Sequence, residues 1–462
     1  MGGLRWWCEL AWLGGDDATA GVLVEVGADG MLRSVRAGVG RADPGAAGAT
    51  VLAGLTVPGL VNAHSHAFHR ALRGWSEGGD RGSFWTWRQR MYDVAARLQP
   101  DTYRTLATAV FAEMALSGIT TVGEFHYLHH DTDGRPYSSD AMGEALIAAA
   151  GDAGIRLTLL DTCYLAGGVG TALEPVQRRF SDGDAATWAA RVDRLAAATA
   201  GSAAADRIRV GAAIHSVRAL APDAIAEVAA WARHHDAVLH AHVSEQPDEN
   251  AACLAAYGVT PTELLGELGV LGPRFVAVHA THVGDHDIAL LGGSASSVCL
   301  CPTTERDLAD GIGPAARLAA AGSPLCLGSD AHAVIDLWEE ARAVELDERL
   351  ATGQRGRHRP AALLAAATAA GAAALGWEGG GLLQPGAPAD FCTLRADGVA
   401  LAGTWGPDGE GAAAAAVFAG RASEVTDVVV GGRAVVAGGV HCTLGPVGPL
   451  LHAALGQLTA TP

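Results

Sequence analysis

His64-Ser65-His66, His242-Val243-Ser244-Glu245 and Ser329-Asp330 are the residues of this chain whose types and spacing could do chemistry together. Each group ends an apolar, β-branched run, and strand residues at i and i+2 point to the same face. His64 and His66 therefore present two imidazoles side by side, which is half of a metal site. His242 and Asp330 complete an N,N,N,O set of the kind Zn²⁺ accepts, with a position left for water. An ion held there lowers the pKa of bound water from about 15.7 towards about 7, the usual source of a nucleophile in metal-dependent hydrolysis. Glu245, just past His242, is expected to shuttle the protons, with Asp330 helping to relay them. His279 ends Val276-Ala277-Val278-His279. It can ligate the ion or, as expected here, polarise water and substrate from beside it. His240 shares a face with His242 and is expected to pack the barrel interior; His282 is expected to be structural.

Cationic residues near the same strand ends point to the substrate. Arg218 follows His215 by three residues, and Arg88 closes the aromatic segment Ser83-Phe84-Trp85-Thr86-Trp87-Arg88. Guanidinium forks suit bidentate binding of carboxylates. Tyr127, after Glu124-Phe125-His126, adds a hydroxyl donor.

The elements that must position these groups are legible as alternating apolar strands and Ala-rich helical stretches, the pattern of repeated βα units. Eight strand candidates end near His66, His126, Tyr164, His215, His242, His279, Cys301 and Asp330. Eight such units predict a (β/α)₈ barrel of the TIM type, whose chemistry gathers at the C-terminal ends of its strands. Six of the eight ends carry a His or an Asp, which ties the candidate site to the barrel mouth. Residues 1–56 and 384–462 read instead as short strands and turns. They are expected to pair into one small β-sandwich beside a barrel spanning 57–383.

Composition bounds the reading. The 462 residues are 49% hydrophobic, enough for a large buried core. A net charge of −18 argues against a nucleic-acid or anionic-membrane partner, and requires local arginines for any anionic substrate. The 32 basic residues are all Arg. Schiff-base, pyridoxal-phosphate and P-loop lysines are thereby excluded, as is a carboxylated lysine bridging two metals, so a mononuclear centre is the simplest expectation. The eight cysteines never form Cys-x-x-Cys, which predicts reduced thiols and a cytoplasmic protein without a signal peptide. The uncharged run 361–377 is too short to span a bilayer and is expected to be a buried or amphipathic helix.

With these residues in view, the chain resembles the amidohydrolase superfamily. Pro58-Gly59-Leu60-Val61-Asn62-Ala63-His64-Ser65-His66 is similar to its first-strand motif and Ser329-Asp330 to its eighth. Within it, the closer resemblance is to the formimidoylglutamate deiminase family. It rests on His64 to Phe68, Phe84 to Arg88 with Met91-Tyr92, and Glu124 to Tyr127 with His129-His130-Asp131. It continues through His215 to Arg218, His242 to Glu245, His279 to His282, Asp310-Gly311-Ile312 and Gly328 to Asp330. The resemblance implies one zinc per chain on His64, His66, His242 and Asp330, other divalent transition metals being possible, with Glu245 as acid/base and His279 assisting. It places substrate contacts at Arg88, Tyr127, His215 and Arg218. His69 stands where the family has a substrate-binding Gln, and is kept as a contact. The implied reaction is hydrolysis of N-formimidoyl-L-glutamate, a dicarboxylate, to N-formyl-L-glutamate and ammonia in histidine degradation, by a homodimer. The rival readings are a related deaminase acting on a purine or other cyclic amidine, and a non-catalytic metal-binding barrel.

Overall fold

The computed structural model describes residues 4–75, 84–202 and 205–459; Ser83 of the aromatic segment lies outside them. Eight parallel strands, Leu60–Ser65, Ile119–His126, Arg156–Cys163, Ile208–Ile214, Leu239–Val243, Phe275–His279, Ser297–Leu300 and Leu325–Leu327, pair in sequence order. Nearly every residue in them is buried, as expected of parallel strands covered on both faces. The barrel closes at the seam between its first and eighth strands. There Asp330 N–H donates to His64 O at 3.0 Å and His66 N–H to Asp330 O at 3.1 Å. Among the described residues, six α-helices open on proline in the first turn (Pro100, Pro222, Pro247, Pro261, Pro302 and Pro360), where the missing N–H costs nothing.

The seam depends on Gly328. A Cβ there would sit 2.7 Å from His64 Cβ and 2.8 Å from His64 O. Only glycine lets the eighth strand approach the first so closely, and that approach brings Asp330 against the two histidines. Below the strand tips, Asn62 bonds both the Ser329 hydroxyl (2.7 Å) and its N–H (2.9 Å). His332 bridges Ser329 and Ser65, and Ser65 donates to buried Glu124 at 2.6 Å. A continuous polar network therefore locks the seam.

The two chain ends pair into one hydrogen-bonded, eight-stranded mixed sheet, as the β-rich termini imply. Strand Thr50–Pro58 lies at its centre, parallel to Leu4–Ala11 and antiparallel to Phe391–Leu394. Residues of both ends share a core, with Trp6 edge-on to Phe391 at 5.7 Å. A bidentate Arg156–Asp390 pair, buried, ties the third barrel strand to this sheet. The C-terminal part is not all β: helices Ala412–Ala419 and Val447–Thr459 follow, and Arg97 donates to Leu458 O at 2.9 Å.

The run 361–377 forms two short helices, Pro360–Ala366 and Ala369–Ala374, broken at Thr368. They floor the barrel: His240 Nε2 donates to Ala374 O at 2.9 Å and Thr158 to Leu375 O at 2.9 Å. His240 is thus an interior residue, as expected. Among the described residues, no helix is long and apolar enough to cross a membrane.

Candidate metal centre and active site

Every expected ligand arrives at one point. His64, His66, His242 and Asp330 are all buried and form one compact group of donor atoms. His64 Nε2 and His66 Nε2 lie 3.2 and 3.3 Å from Asp330 Oδ1, and His242 Nε2 lies 3.2 Å from His64 Nε2. Bonds of about 2.1 Å around a tetrahedral Zn²⁺ put neighbouring donors roughly 3.4 Å apart, so the spacing fits an ion. Protonation argues the same way. His66 Nδ1 donates to Phe125 O at 3.0 Å and His242 Nδ1 to His215 O at 2.9 Å. That tautomer, assigned from the hydrogen bonds, leaves each Nε2 a lone pair facing the centre. Burial pushes the His64 imidazole down to about 3 and that of His242 well below its usual range. Converging lone pairs in a buried site fit a cation between them. Burial alone would raise Asp330, but the His64 and His66 imidazoles outweigh it and hold the carboxyl well below its usual range.

Around this centre stands a ring of acidic and basic groups. His279 Nε2 is 3.8 Å from Glu245 Oε1 and 3.9 Å from Asp330 Oδ2. Its Nδ1 faces Glu305 Oε1 at 3.3 Å, and Glu305 also accepts from Cys301 N–H at 2.9 Å. Burial opposes protonation of His279, but Glu305, Glu245 and Asp330 push its pKa up to about 10. His279 lies farther from Asp330 than His64 and His66 do, which suits a role beside the ion. Sequence reasoning missed Glu305, because a carboxylate five residues past the seventh strand carries no motif until the helix Pro302–Asp307 turns it inward. It also missed Asp310 as a site residue, whose carboxyl accepts from Gln246. Burial and neighbouring Glu245 raise Asp310 to about 8.

The expected substrate residues line one cavity of about 310 Å³ together with His66, His242, Glu245 and Asp330. They are His69, Arg88, Tyr127, His215 and Arg218, so the structure gathers every one of them. His69 Nε2 and the Tyr127 hydroxyl bond at 2.9 Å. Arg88 Nε donates to the Tyr92 hydroxyl at 2.6 Å, and Tyr92 shares Gln177 with Tyr164. Arg218 is the most constrained: it lies 3.3 Å from Glu245 Oε2 and 3.6 Å from Glu249 Oε2. Glu249, buried one helical turn past Glu245, is another residue sequence reasoning missed. Burial lowers His69 and His215 well below the imidazole range, keeping both neutral.

Backbone strain collects here. Ser244, His279, Ala280, Asp330 and His332 have φ between 41° and 71°, a region non-glycine residues rarely occupy. Each follows or ends a barrel strand where the chain must turn a side chain into the mouth. Another buried group, His126, His129 and Asp161, is occupied otherwise. Asp161 accepts two bonds from Arg191 and one from Trp188, so its oxygens are committed to an ion pair.

The profile of the amidohydrolase family matches residues 55–435. The chain is 39% identical over 439 residues to formimidoylglutamate deiminase of Pseudomonas aeruginosa, covering 91% of this chain and 92% of that protein. It is 31% identical to 8-oxoguanine deaminase of the same organism, covering 85% of each. Among solved structures, an amidohydrolase from Brucella melitensis superposes with a TM-score of 0.89 at 33% identity, covering 99% of this chain and 100% of that one. An adenosine deaminase from Xanthomonas campestris with bound zinc shares the fold at a TM-score of 0.83 and 22% identity, covering 98% and 97%. The barrel, the ligand group at its mouth and these likenesses agree: the chain belongs to the amidohydrolase family.

Proposed function

We propose that this chain is a zinc-dependent deiminase that hydrolyses N-formimidoyl-L-glutamate to N-formyl-L-glutamate and ammonia, a step of histidine degradation. The observation that carries the reading is that Arg88 and Arg218 line the same cavity as His242, Glu245 and Asp330 in a protein of net charge −18. An acidic protein that sets two half-buried guanidinium groups beside a hydrolytic centre is suited to a dicarboxylate. The 39% identity to formimidoylglutamate deiminase supports the same substrate.

In this reading His64, His66, His242 and Asp330 hold the ion, which when bound supplies an acidified water at neutral pH. Glu245 removes one water proton as oxygen adds to the formimidoyl carbon and delivers it to the imino nitrogen. The second, from the added hydroxyl, is relayed by Glu245 and Asp330 to the same nitrogen, which leaves as ammonia as the new C=O forms. His279, oriented by Glu305, faces the charge that develops at the reacting carbon. Arg88 and Arg218 take the two substrate carboxylates, while His69, Tyr127 and His215 line the polar edge between them. Arg218 must share its five N–H donors between Glu245, Glu249 and the incoming carboxylate. We read the protein as a cytoplasmic homodimer with a barrel at 57–383; its eight unpaired cysteines support a reducing compartment.

The test is ammonia release from formimidoylglutamate, from a neutral amidine and from an aminopurine by metal-loaded protein, alongside Glu245→Gln. Preference for formimidoylglutamate, lost in the variant, is expected. Preference for the aminopurine would transfer the site to the chemistry named for the 8-oxoguanine relative. Tight metal binding with no turnover of any substrate would leave a binding barrel.

A further inference from the structure

Three cysteines lie together just beneath the metal centre. Cys299 and Cys326 are opposite each other on the seventh and eighth strands, and Cys301 follows the end of the seventh. All are buried, and none is in a disulfide. Cys301 is the one that reaches the mouth. A Cβ built on Gly328 would meet its Sγ at 3.0 Å, on the same spot where it would meet His64.

Cys301 Sγ, a ring nitrogen of His279 and a carboxylate oxygen of Asp330 lie within 4.8 Å of one another. Two features of these atoms leave them open to a further ligand. His279 Nε2 is buried without a hydrogen-bond partner among the described residues. Asp330 also divides its oxygens: Oδ1 faces His64 and His66, whereas Oδ2 faces His279 at 3.9 Å. A carboxylate placed in that way can bridge two cations. Glu245 and Glu305 flank His279 as well.

We propose that Cys301, His279 and Asp330 form a second, inhibitory site for a thiophilic divalent cation, such as excess Zn²⁺ or Cd²⁺, with Asp330 shared between the two ions. The lack of lysine rules out the carboxylated-lysine bridge of a binuclear centre, and here Asp330 is the shared ligand. The site fills second because His279 Nε2 and Asp330 Oδ2 stand 3.9 Å apart, against 3.2–3.3 Å for the contacts of His64 with Asp330 and His242 and of His66 with Asp330, and must close on a shared ion. Thiolate and imidazole select soft and borderline metals, so Mg²⁺ and Ca²⁺ are excluded. On binding, the S–H bond of Cys301 breaks, the sulfur–metal bond forms, and the thiol proton, with any proton on His279 Nε2, passes to solvent. No electron is transferred. Occupancy takes His279 away from the reacting carbon. This effect on turnover rests on the role assigned to His279 above, whereas the binding itself does not.

The experiment is a Cd²⁺ titration of the metal-free full chain carrying Cys442→Ser, which removes the one exposed thiol. Absorbance, proton release and ammonia production from formimidoylglutamate are followed together. The first equivalent is expected to bring activity without a thiolate-to-metal band. The second is expected to add that band, release protons and lower turnover about 100-fold, the scale of a lost acid/base group. Adding Cys301→Ser, or Cys301→Ala, should remove the band and the inhibition while leaving the first equivalent and its activity in place. Binding that stops at one equivalent, a second equivalent without the band, or a band that survives both Cys301 variants would overturn the site. Should neither variant fold, the parent titration still decides through its stoichiometry and band. Activity missing at one equivalent, with the band present at two, would overturn the deiminase reading and leave the second site standing.

Discussion

Gly328→Ala is the substitution that most sharply probes how the fold builds the site. The added methyl would lie 2.7 Å from His64 Cβ, 2.8 Å from His64 O and 3.0 Å from Cys301 Sγ. Carbon atoms rest at about 3.5–4.0 Å, so the two strands must part by roughly 1 Å. The obstruction is backbone and Cβ, which cannot swing away as a side-chain tip would. Overpacking of this kind costs about 1–3 kcal/mol. The larger consequence is geometric, because Asp330 rides on the displaced strand and its 3.2 and 3.3 Å approaches to His64 and His66 open with it. A misplacement of about 1 Å can cost about 100-fold in rate. The assay is metal content after dialysis, together with kcat, against Gly151→Ala as control. Gly151 lies in helix Ala141–Ala153 with nothing within 4 Å of a built Cβ, so that change should stabilise by about 0.5–1 kcal/mol and leave activity alone. Full metal retention and unchanged kcat in Gly328→Ala would refute the claim that the glycine seam sets the ligand geometry.

Further outcomes follow from the same structure. Glu245→Gln should lower kcat by about 10²–10⁴ while metal content stays at the wild-type level, as measured by single-turnover ammonia release. Arg218→Met should raise KM for formimidoylglutamate far more than for a neutral amidine, since only the first needs a carboxylate contact; equal changes would make Arg218 structural. Removing the metal with a chelator should abolish turnover and lower the melting temperature, because ligand bound to the folded state alone stabilises it by mass action. Acid should weaken the fold through His129, whose imidazole burial lowers to about 4. The unfolded chain binds that proton from about pH 6.5 downward and the folded chain does not, so stability is lost as pH falls through that window, by up to about 3 kcal/mol in full. Urea titrations at pH 7 and pH 5 should register the loss, and His129→Gln should reduce it by that residue's share, the other buried imidazoles keeping theirs; an unchanged difference would contradict the assignment.

How much of this was legible in the sequence follows the range of each interaction. His64 and His66 could be read because a strand's two-residue repeat is local, and the strand ends could be read because apolar runs stop where the mouth begins. His240 could be set aside for the same reason, and it does cap the floor helix at Ala374. Glu305, Glu249 and Asp310 were not legible. Each is an ordinary loop or helix carboxylate until a tertiary partner, His279, Arg218 or Gln246, defines it. The break at Thr368 was hidden by a run of alanines that is uniformly helix-favouring. The pairing of the chain ends was visible in outline, but the central place of Thr50–Pro58 depends on partners more than 300 residues away.

X-ray absorption at one equivalent of bound Zn²⁺ tests the central claim most directly. Only nitrogen and oxygen neighbours at about 2.0–2.2 Å, three of them imidazole, are expected, with loss of the bound ion in His242→Ala. A sulfur neighbour near 2.3 Å at that loading, or an ion unaffected by removing His242, would contradict it.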